Sequence, residues 1–491
     1  MTIFGTAARP VDVECRLSGG LPQTVIVGLP GRTVAEAKDR LRSAFATCQL
    51  AWPKRHITLN LLPADLPKND SGLDLALAAA VLIATGQLPP SASAGLYLGE
   101  IGLDGRLQPV RGLLCKLIAS GGRKPCYLPA EQLGLAKLVP GLELRPLNTL
   151  ADLLNSRLQP VKSDRGSAWP AAETPADRPD LADIAGQYRA KRALEIAAAG
   201  QHHLFLLGPP GNGKTLLARS LAGLLPALNR QQLLEINQLY GLTDQAAQLV
   251  TASPVREPHH SIRPSGLLGS SQNPLPGELS LAHLGILILN ELPEFARASL
   301  EALRQPLEDH QLTRRQTGYS ANYPADCMVA ATANPCACGF FGSERPCRCS
   351  PYEVSRYNRR ISGPLLDRFD LFVTVSQPTD SPQPDTLETT DTVKCRVAAA
   401  RQRQIDRSGC LNGRLTDSGL RRQIQLTTEA RHLLTDAASR LGLSSRGVNR
   451  CLRVARTIAD LAASDQTDVL HLAEALQFRP PALLNLTGAE T

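Results

Sequence analysis

The chain has 491 residues, of which 43% are hydrophobic and 4% aromatic, and its formal net charge is +8. One hydrophobic core does not extend over so many residues, so the length predicts two to four domains. The charge permits a nucleic-acid partner without indicating one, and no apolar run is long enough for a membrane span. Because the first residues lack the pattern of a secretory signal, we expect a cytoplasmic protein without a membrane partner.

The first part of the chain, residues 1–158, is predicted to be one α+β domain. Short β-branched runs alternate there with helical patterns, which favours a domain with its own core. The runs are residues 24–28, 56–61 and 96–98, and the helical patterns are residues 34–48, 73–85 and 112–120. Residues 159–180 are rich in Pro, Ala, Ser, Asp and Arg without periodicity, and we interpret them as a linker.

A helix predicted at residues 187–199 leads into an apolar strand, a glycine-rich loop and a second helix, at residues 202–222. The loop GPPGNGKT matches G-x-x-x-x-G-K-[ST] at every fixed position, and its backbone N–H groups can surround phosphate oxygens. Lys214 can then reach the β- and γ-phosphates, while the Thr215 hydroxyl ligates magnesium. The sequence therefore predicts a site for ATP and Mg²⁺. Its residues are Gly208, Pro209, Pro210, Gly211, Asn212, Gly213, Lys214 and Thr215.

Three further apolar runs, at residues 285–289, 327–331 and 371–375, have the continuous character of buried parallel strands. They extend the predicted α/β core over residues 181–376. The first run ends in Asn290-Glu291, where an ATPase needs a carboxylate for magnesium and a base for water. Glu291 suits the base. Asn290 can accept a hydrogen bond from a magnesium-bound water, but it brings no negative charge.

The remaining chain is predicted to be a second linker, residues 377–392, followed by a helical region, residues 393–491. The linker is rich in Pro, Thr and Asp. The helical patterns are residues 393–405, 427–441, 447–463 and 468–476.

Four of the twelve cysteines are clustered in a C-x-C-x₈-C-x-C pattern. Four thiolates can close a tetrahedral zinc site that stabilises a loop. Because C-x-C is tighter than the common C-x₂-C spacing, disulfides and free thiols remain alternatives to structural zinc. The residues are Cys336, Cys338, Cys347 and Cys349.

Over nearly its whole length the chain resembles the ComM/YifB family of magnesium-chelatase-like AAA+ proteins. The resemblance rests on long segments such as GQYRAKRALEIAAAGQHHLFLLGPPGNGKT, REPHH, NPLPGELSLAHLG, ATANPCACG and RISGPLLDRFDL. It implies a Lon-protease-like N-terminal domain, a three-layer P-loop AAA+ core and a C-terminal helical lid. In similar proteins the Asn290 position is ordinarily Asp.

The resemblance also implies roles for individual residues. Asn334 resembles the sensor-1 residue that positions the hydrolytic water, and Arg368 resembles an arginine finger inserted into a neighbouring subunit. Arg446 resembles sensor 2, which reaches from the lid to the γ-phosphate, and residues 184–187 are placed to contact adenine. A finger acting between subunits requires a homo-oligomeric ring, expected to be a hexamer.

Similar proteins carry two insertions, which here correspond to residues 262–276 and about 312–324. The second insertion has the pattern of a β-hairpin carrying Arg314, Arg315 and Tyr319. Such a hairpin can line a pore, where cations follow phosphates and an aromatic ring stacks on bases. A solvated charged turn is the alternative. Similar proteins are ATP-driven DNA helicases that promote branch migration during integration of transforming DNA.

Three other functions remain open. Asn290 favours a nucleotide-binding switch with weak hydrolysis, and the chelatase-like core allows a motor subunit that inserts magnesium into a porphyrin. A Lon-like protease would pair a serine with Lys116, but the matching register places Gly72 at the nucleophile position and Ser71 one residue away. We therefore expect no peptidase activity, and a docking, assembly or DNA-contact role for this domain.

Overall fold

The structure is a computed structural model. It describes residues 1–122, 125–155, 159–163, 178–243, 249–270, 275–316, 319–376, 388–481 and 484. Of residues 315, 316 and 319 only the backbone is described. Most of both predicted linkers therefore lies outside the described residues.

The N-terminal region combines two sheets with short helices. In the first sheet β5 is central, antiparallel to β3 and parallel to β4, and the second sheet has the order β11-β10-β9-β6. Helices α2 and α3 bury Leu41, Phe45 and Leu77 against the first sheet. The strands are β1 (Thr2–Phe4), β2 (Ala7–Arg9), β3 (Asp12–Ser18), β4 (Thr24–Val27), β5 (His56–Leu62), β6 (Leu96–Tyr97), β7 (Glu100–Ile101), β8 (Leu107–Gln108), β9 (Cys126–Pro129), β10 (Glu143–Leu147) and β11 (Val161–Lys162). The helices are α1 (Arg32–Ala35), α2 (Ala37–Thr47), α3 (Asp74–Ala84), α4 (Leu113–Ala119) and α5 (Leu133–Ala136).

A five-stranded parallel sheet with helices on both faces forms the middle of the chain, in the order β13-β14-β17-β12-β18. Successive residues of β12 enter opposite cores, Leu204 and Leu206 on one side and Phe205 and Leu207 on the other. This two-sided burial explains the continuous apolar runs in the sequence. The strands are β12 (Leu204–Leu207), β13 (Val255–Arg256), β14 (Ile286–Leu289), β15 (Gln311–Gln316), β16 (Tyr319–Pro324), β17 (Met328–Ala333) and β18 (Leu371–Thr374). The helices are α6 (Tyr188–Gly200), α7 (Lys214–Ser220), α8 (Arg230–Tyr240), α9 (Pro264–Leu268), α10 (Glu278–Leu281), α11 (Arg297–Asp309), α12 (Pro351–Asn358) and α13 (Gly363–Leu366).

The carboxyl ends of the parallel strands meet at one edge of this sheet, which is where ligands bind in open α/β folds. The glycine-rich loop follows β12, Asn290 follows β14 and Asn334 follows β17. The fold therefore gathers three predicted site segments at a single edge.

The C-terminal region is helical, with α14 and α17 packed on α6. Arg456 of α17 is buried and pairs with Asp460 at 2.7 Å, and Arg407 of α14 pairs with the same carboxylate at 2.6 Å. The helices are α14 (Thr390–Ser408), α15 (Asp417–Gln423), α16 (Thr428–Arg440), α17 (Ser445–Leu461) and α18 (Val469–Gln477). Within the described part of the chain, no helix has the length and apolar character needed to cross a membrane.

Candidate nucleotide site

The glycine-rich loop wraps around the side chain of Lys214. Its Nζ donates to the carbonyl oxygens of Gly208 and Pro209, both at 2.7 Å, and to Oδ1 of Asn334 at 3.1 Å. A Cβ on Gly208 would lie 2.3 Å from the Val375 carbonyl oxygen, so the close approach of the loop to β18 requires glycine. Burial lowers the pKa of Lys214 to about 8, although the Glu291 carboxylate opposes this shift. The loop thus holds its cation beside Asn334.

Asn290 connects the loop to the neighbouring strands. Its Oδ1 accepts hydrogen bonds from the hydroxyl groups of Thr215 at 3.3 Å and Thr332 at 3.2 Å. The adjacent Glu291 donates its backbone N–H to Thr332 Oγ1 at 3.0 Å, while its side chain is exposed. Glu291 also has φ +56°, a left-handed conformation that is strained for a residue other than glycine and is common at functional sites. An exposed carboxylate on the residue that follows Asn290 can accept a proton from water.

A further carboxylate lies at this edge. Glu257, just after β13, accepts a hydrogen bond from the Asn290 side-chain amide. Arg219 of α7 holds the same carboxylate through two N–H groups, at 2.8 Å and 3.1 Å. Neither Glu257 nor Thr332 was assigned a role from the sequence, although both lie in segments that carry the family resemblance, REPHH and ATANPCACG. Their approach to Asn290 follows from topology, since β13 and β17 are the two neighbours of β14.

The segment expected to contact adenine lies at the same edge. Ile184 is buried, and the Gln187 amide donates to the Ser376 carbonyl oxygen at 2.7 Å. Asn212 of the loop donates to the neighbouring Val375 carbonyl oxygen at 3.3 Å. Residues 184–187 and the loop are thus both attached to the end of β18.

Arg368 and Arg446 form a second group, away from the loop. Both line one pocket of about 280 Å³, and His203 lines it too. His203 comes just before β12 and the glycine-rich loop comes just after it, so the pocket and the loop lie at opposite ends of this strand. Arg368 pairs with Glu308, and Arg446 is exposed. The structure therefore brings Lys214, Thr215, Asn290, Glu291 and Asn334 together, and it places the two arginines at the opposite, amino end of the sheet.

The four clustered cysteines converge after β17, with all four Sγ atoms within 4.8 Å of one another. The Sγ atom of Cys336 lies 3.4 Å from that of Cys338 and 3.6 Å from that of Cys347. These separations are far longer than a disulfide bond. In a tetrahedral site with Zn–S distances of about 2.3 Å, two sulfur atoms would lie about 3.8 Å apart, which is close to the separations here. The cluster can therefore hold a metal ion.

Backbone N–H groups also point at these sulfurs. Phe341 donates to Cys336 Sγ, and Cys349 donates to Cys347 Sγ, both at 3.4 Å. Hydrogen bonds from the N–H groups of Phe340 and Arg348 lower the pKa of Cys338 to about 6. These N–H groups favour a thiolate at Cys338, whereas burial and the neighbouring thiols raise the pKa values of Cys347 and Cys349.

The predicted hairpin is present as the antiparallel pair β15–β16. Leu312, Ala321 and Tyr323 form its buried face, and Arg314 donates to the Gly269 carbonyl oxygen at 3.0 Å. The side chains of Arg315 and Tyr319 lie outside the described residues. The hairpin is therefore anchored along its length up to Arg314.

The N-terminal domain shows what stands at the position of a protease nucleophile. Lys116 is buried, and its Nζ pairs with Asp70 Oδ2 at 2.6 Å. A Cβ on Gly72 would lie 2.8 Å from that Nζ, so residue 72 faces the lysine but offers no hydroxyl. The Ser71 hydroxyl donates instead to the Glu100 carboxylate. Neither residue 72 nor Ser71 therefore offers a hydroxyl to Lys116.

Comparison with known proteins covers almost the whole chain. The family described as "Magnesium chelatase, subunit ChlI" matches residues 180–382, "Subunit ChlI of Mg-chelatase" matches residues 13–127, and "Magnesium chelatase, subunit ChlI C-terminal" matches residues 387–479. The uncharacterized protein YifB of Salmonella typhimurium is 39% identical over 97% of this chain and 95% of its own length. Competence protein ComM of Haemophilus influenzae is 39% identical over 97% of this chain and 96% of its own length. The chain therefore belongs to the ComM/YifB family of magnesium-chelatase-like proteins.

Proposed function

We propose that the protein is an ATP hydrolase that works as a homo-oligomeric ring, a hexamer, and moves on single-stranded or branched DNA. One observation carries this proposal. The residues that would bind and attack the nucleotide lie at the carboxyl edge of the sheet, whereas Arg368 and Arg446 lie at the amino edge. A site that needs both groups is complete only when the arginines come from a neighbouring copy of the chain.

Within one subunit, the residues have distinct tasks. Lys214 binds the β- and γ-phosphates, Glu291 polarises the attacking water, and Asn334 orients it. Thr215 and Asn290 present a hydroxyl and an amide oxygen, which are the hard donors that Mg²⁺ accepts, and bound Mg²⁺ would neutralise charge on the phosphates. Arg368 and Arg446 of the next subunit then stabilise the negative charge that develops on the γ-phosphate.

The DNA part of the proposal rests on the hairpin and on one relative. A hairpin carrying Arg315 and Tyr319 combines a cation for phosphates with a ring for base stacking, and Arg314, bound to the Gly269 carbonyl oxygen, would hold the hairpin in place for DNA. The name "Competence protein" of the Haemophilus influenzae relative supports a role in taking up DNA, which we extend to branch migration of transforming DNA. We further propose that the four clustered cysteines hold a structural zinc ion, and that residues 1–158 form a Lon-like domain for docking or assembly.

A second candidate function follows from Asn290. A neutral side chain at the magnesium position favours a nucleotide-binding switch that hydrolyses slowly. Both candidates predict ATP binding at the same loop, and they differ in turnover.

ATPase assays with single-stranded DNA, forked DNA and no DNA distinguish the two. The motor predicts strong stimulation by DNA, abolished by Glu291→Gln, a variant that keeps the loop and should still bind ATP. Tight ATP binding with no turnover under any DNA condition would overturn the motor in favour of the switch.

A further inference from the structure

The Asn290 amide has a defined orientation between two different neighbours. Its oxygen accepts from the hydroxyl groups of Thr215 and Thr332, and its nitrogen donates to Glu257. An aspartate at this position would instead place a carboxylate against the Glu257 carboxylate, and like charges at such a distance oppose one another's ionisation. Asn290 therefore fits this site because Glu257 is beside it.

Glu257 is held on the face of α7 that carries Thr215. Arg219 follows Thr215 by four residues, so both side chains lie on one side of the helix. Arg219 binds both oxygens of Glu257, and Asn290 contacts both Glu257 and Thr215. The four side chains form a continuous chain from Thr215 through Asn290 and Glu257 to Arg219.

The Glu257 carboxylate also retains room for another hydrogen-bond donor. Its side chain is 27% exposed. Oε1 accepts from both Arg219 and Asn290, whereas Oε2 accepts from Arg219 and has a second acceptor position. Mg²⁺ keeps several waters when it binds at phosphate sites, so a carboxylate can hold the ion through a bound water. Arg219 fixes the direction of the carboxylate without covering it.

We propose that Glu257 supplies the negative charge of the magnesium site, in place of the aspartate that similar proteins have at position 290. The site then keeps a single carboxylate, carried by the strand next to β14 instead of by β14 itself. This proposal rests on the proposed function, because it concerns the ion that accompanies the nucleotide.

Glu257→Gln tests the proposal, since the amide keeps the size of the side chain and can still accept from Asn290. The matched control is Glu278→Gln, which also removes a carboxylate held by two N–H groups of an arginine, in this case Arg256 at 2.6 Å and 2.8 Å. The rescue variant combines Glu257→Gln with Asn290→Asp and returns one carboxylate to the site.

Two readouts independent of turnover apply to all four proteins. The first is the dissociation constant of a fluorescent ATP analogue, measured without and with Mg²⁺ and expressed as a ratio. The second is the affinity for Mn²⁺ in the presence of ADP, measured by titration followed with electron paramagnetic resonance. Glu257→Gln should weaken Mn²⁺ binding by about tenfold, the lower end of what outer ligands contribute. Glu278→Gln should match the wild type, and the rescue variant should recover most of the loss.

The proposal is overturned if Glu257→Gln binds Mn²⁺ like the wild type, if Glu278→Gln weakens it equally, or if the rescue variant recovers nothing. Nucleotide binding without Mg²⁺ depends on Lys214 and the loop, so it should be unchanged in Glu257→Gln. Failure of the wild type to bind the analogue under either condition would instead refute the proposed function, and this inference with it.

Discussion

The loop that carries the four clustered cysteines, residues 334–350 and here called the cysteine loop, brings Gly339 against Pro210 of the phosphate loop. A Cβ on Gly339 would lie 2.7 Å from Cδ of Pro210. Gly339 also has φ +86°, a conformation that costs about 1–2 kcal/mol for an L-residue. Gly342 of the same loop has φ +72°, and a Cβ there would meet nothing within 4 Å. The two glycines therefore differ mainly in the contact with Pro210.

Gly339→Ala should carry the backbone cost together with about 1–3 kcal/mol for the added contact, the range for overpacking. Gly342→Ala should carry the backbone cost alone. We expect the added contact to displace Pro210, and with it the phosphate loop, so ATP binding weakens in Gly339→Ala only. If this displacement costs about 1.4 kcal/mol of binding free energy, the dissociation constant rises tenfold.

Titration of a fluorescent ATP analogue into the full chain measures this difference, with far-ultraviolet circular dichroism as the check on folding. We expect Gly339→Ala to bind about tenfold more weakly than Gly342→Ala, by the conversion just given. Equal dissociation constants for the two variants would refute the idea that the cysteine loop supports the phosphate loop.

Two further predictions concern the metal cluster and the hairpin. Cys347→Ser should abolish the zinc content measured by elemental analysis, and it should weaken binding of the ATP analogue as Gly339→Ala does. The control Cys395→Ser, at an exposed cysteine outside the cluster, should change neither quantity. A zinc content that Cys347→Ser leaves unchanged would contradict the metal site. Tyr319→Ala should weaken binding of single-stranded DNA by about 1–3 kcal/mol, because a stacked base is lost. Arg315→Ala should reduce the slope of the logarithm of the binding constant against the logarithm of salt concentration by about one phosphate contact. Fluorescence anisotropy measures both quantities. If neither variant changes DNA binding, the hairpin tip is a solvated turn.

Four strands of the central sheet, β12, β14, β17 and β18, could be predicted from the sequence because nearly all of their residues are buried. β14 and β17 contain only buried residues, and their apolar runs stand out from the polar segments around them. The helix α11 was not predicted, since Pro306 interrupts its pattern. β13 has only two residues, too short for any periodicity.

The composition of the site was harder to predict than its existence. The loop of residues 208–215 carries its own spacing, but Glu257 lies 33 residues from Asn290 and no spacing relates the two. Arg368 comes just before β18 and therefore lies at the amino end of this parallel strand, whereas no local signal in the sequence relates Arg446 of α17 to either end of the sheet. Tertiary topology brings these residues together or keeps them apart.

The central claim is that the nucleotide site is completed by arginines of a neighbouring subunit. Lys214→Ala removes the phosphate-binding cation and keeps Arg368, whereas Arg368→Ala keeps the loop and removes the finger. We expect each variant alone to be nearly inactive as an ATPase. In a ring assembled from equal amounts of both, about a quarter of the interfaces pair an intact loop with an intact finger. ATPase activity should therefore return when the two inactive proteins are mixed. A mixture as inactive as its components, or full activity of Arg368→Ala alone, would contradict the claim.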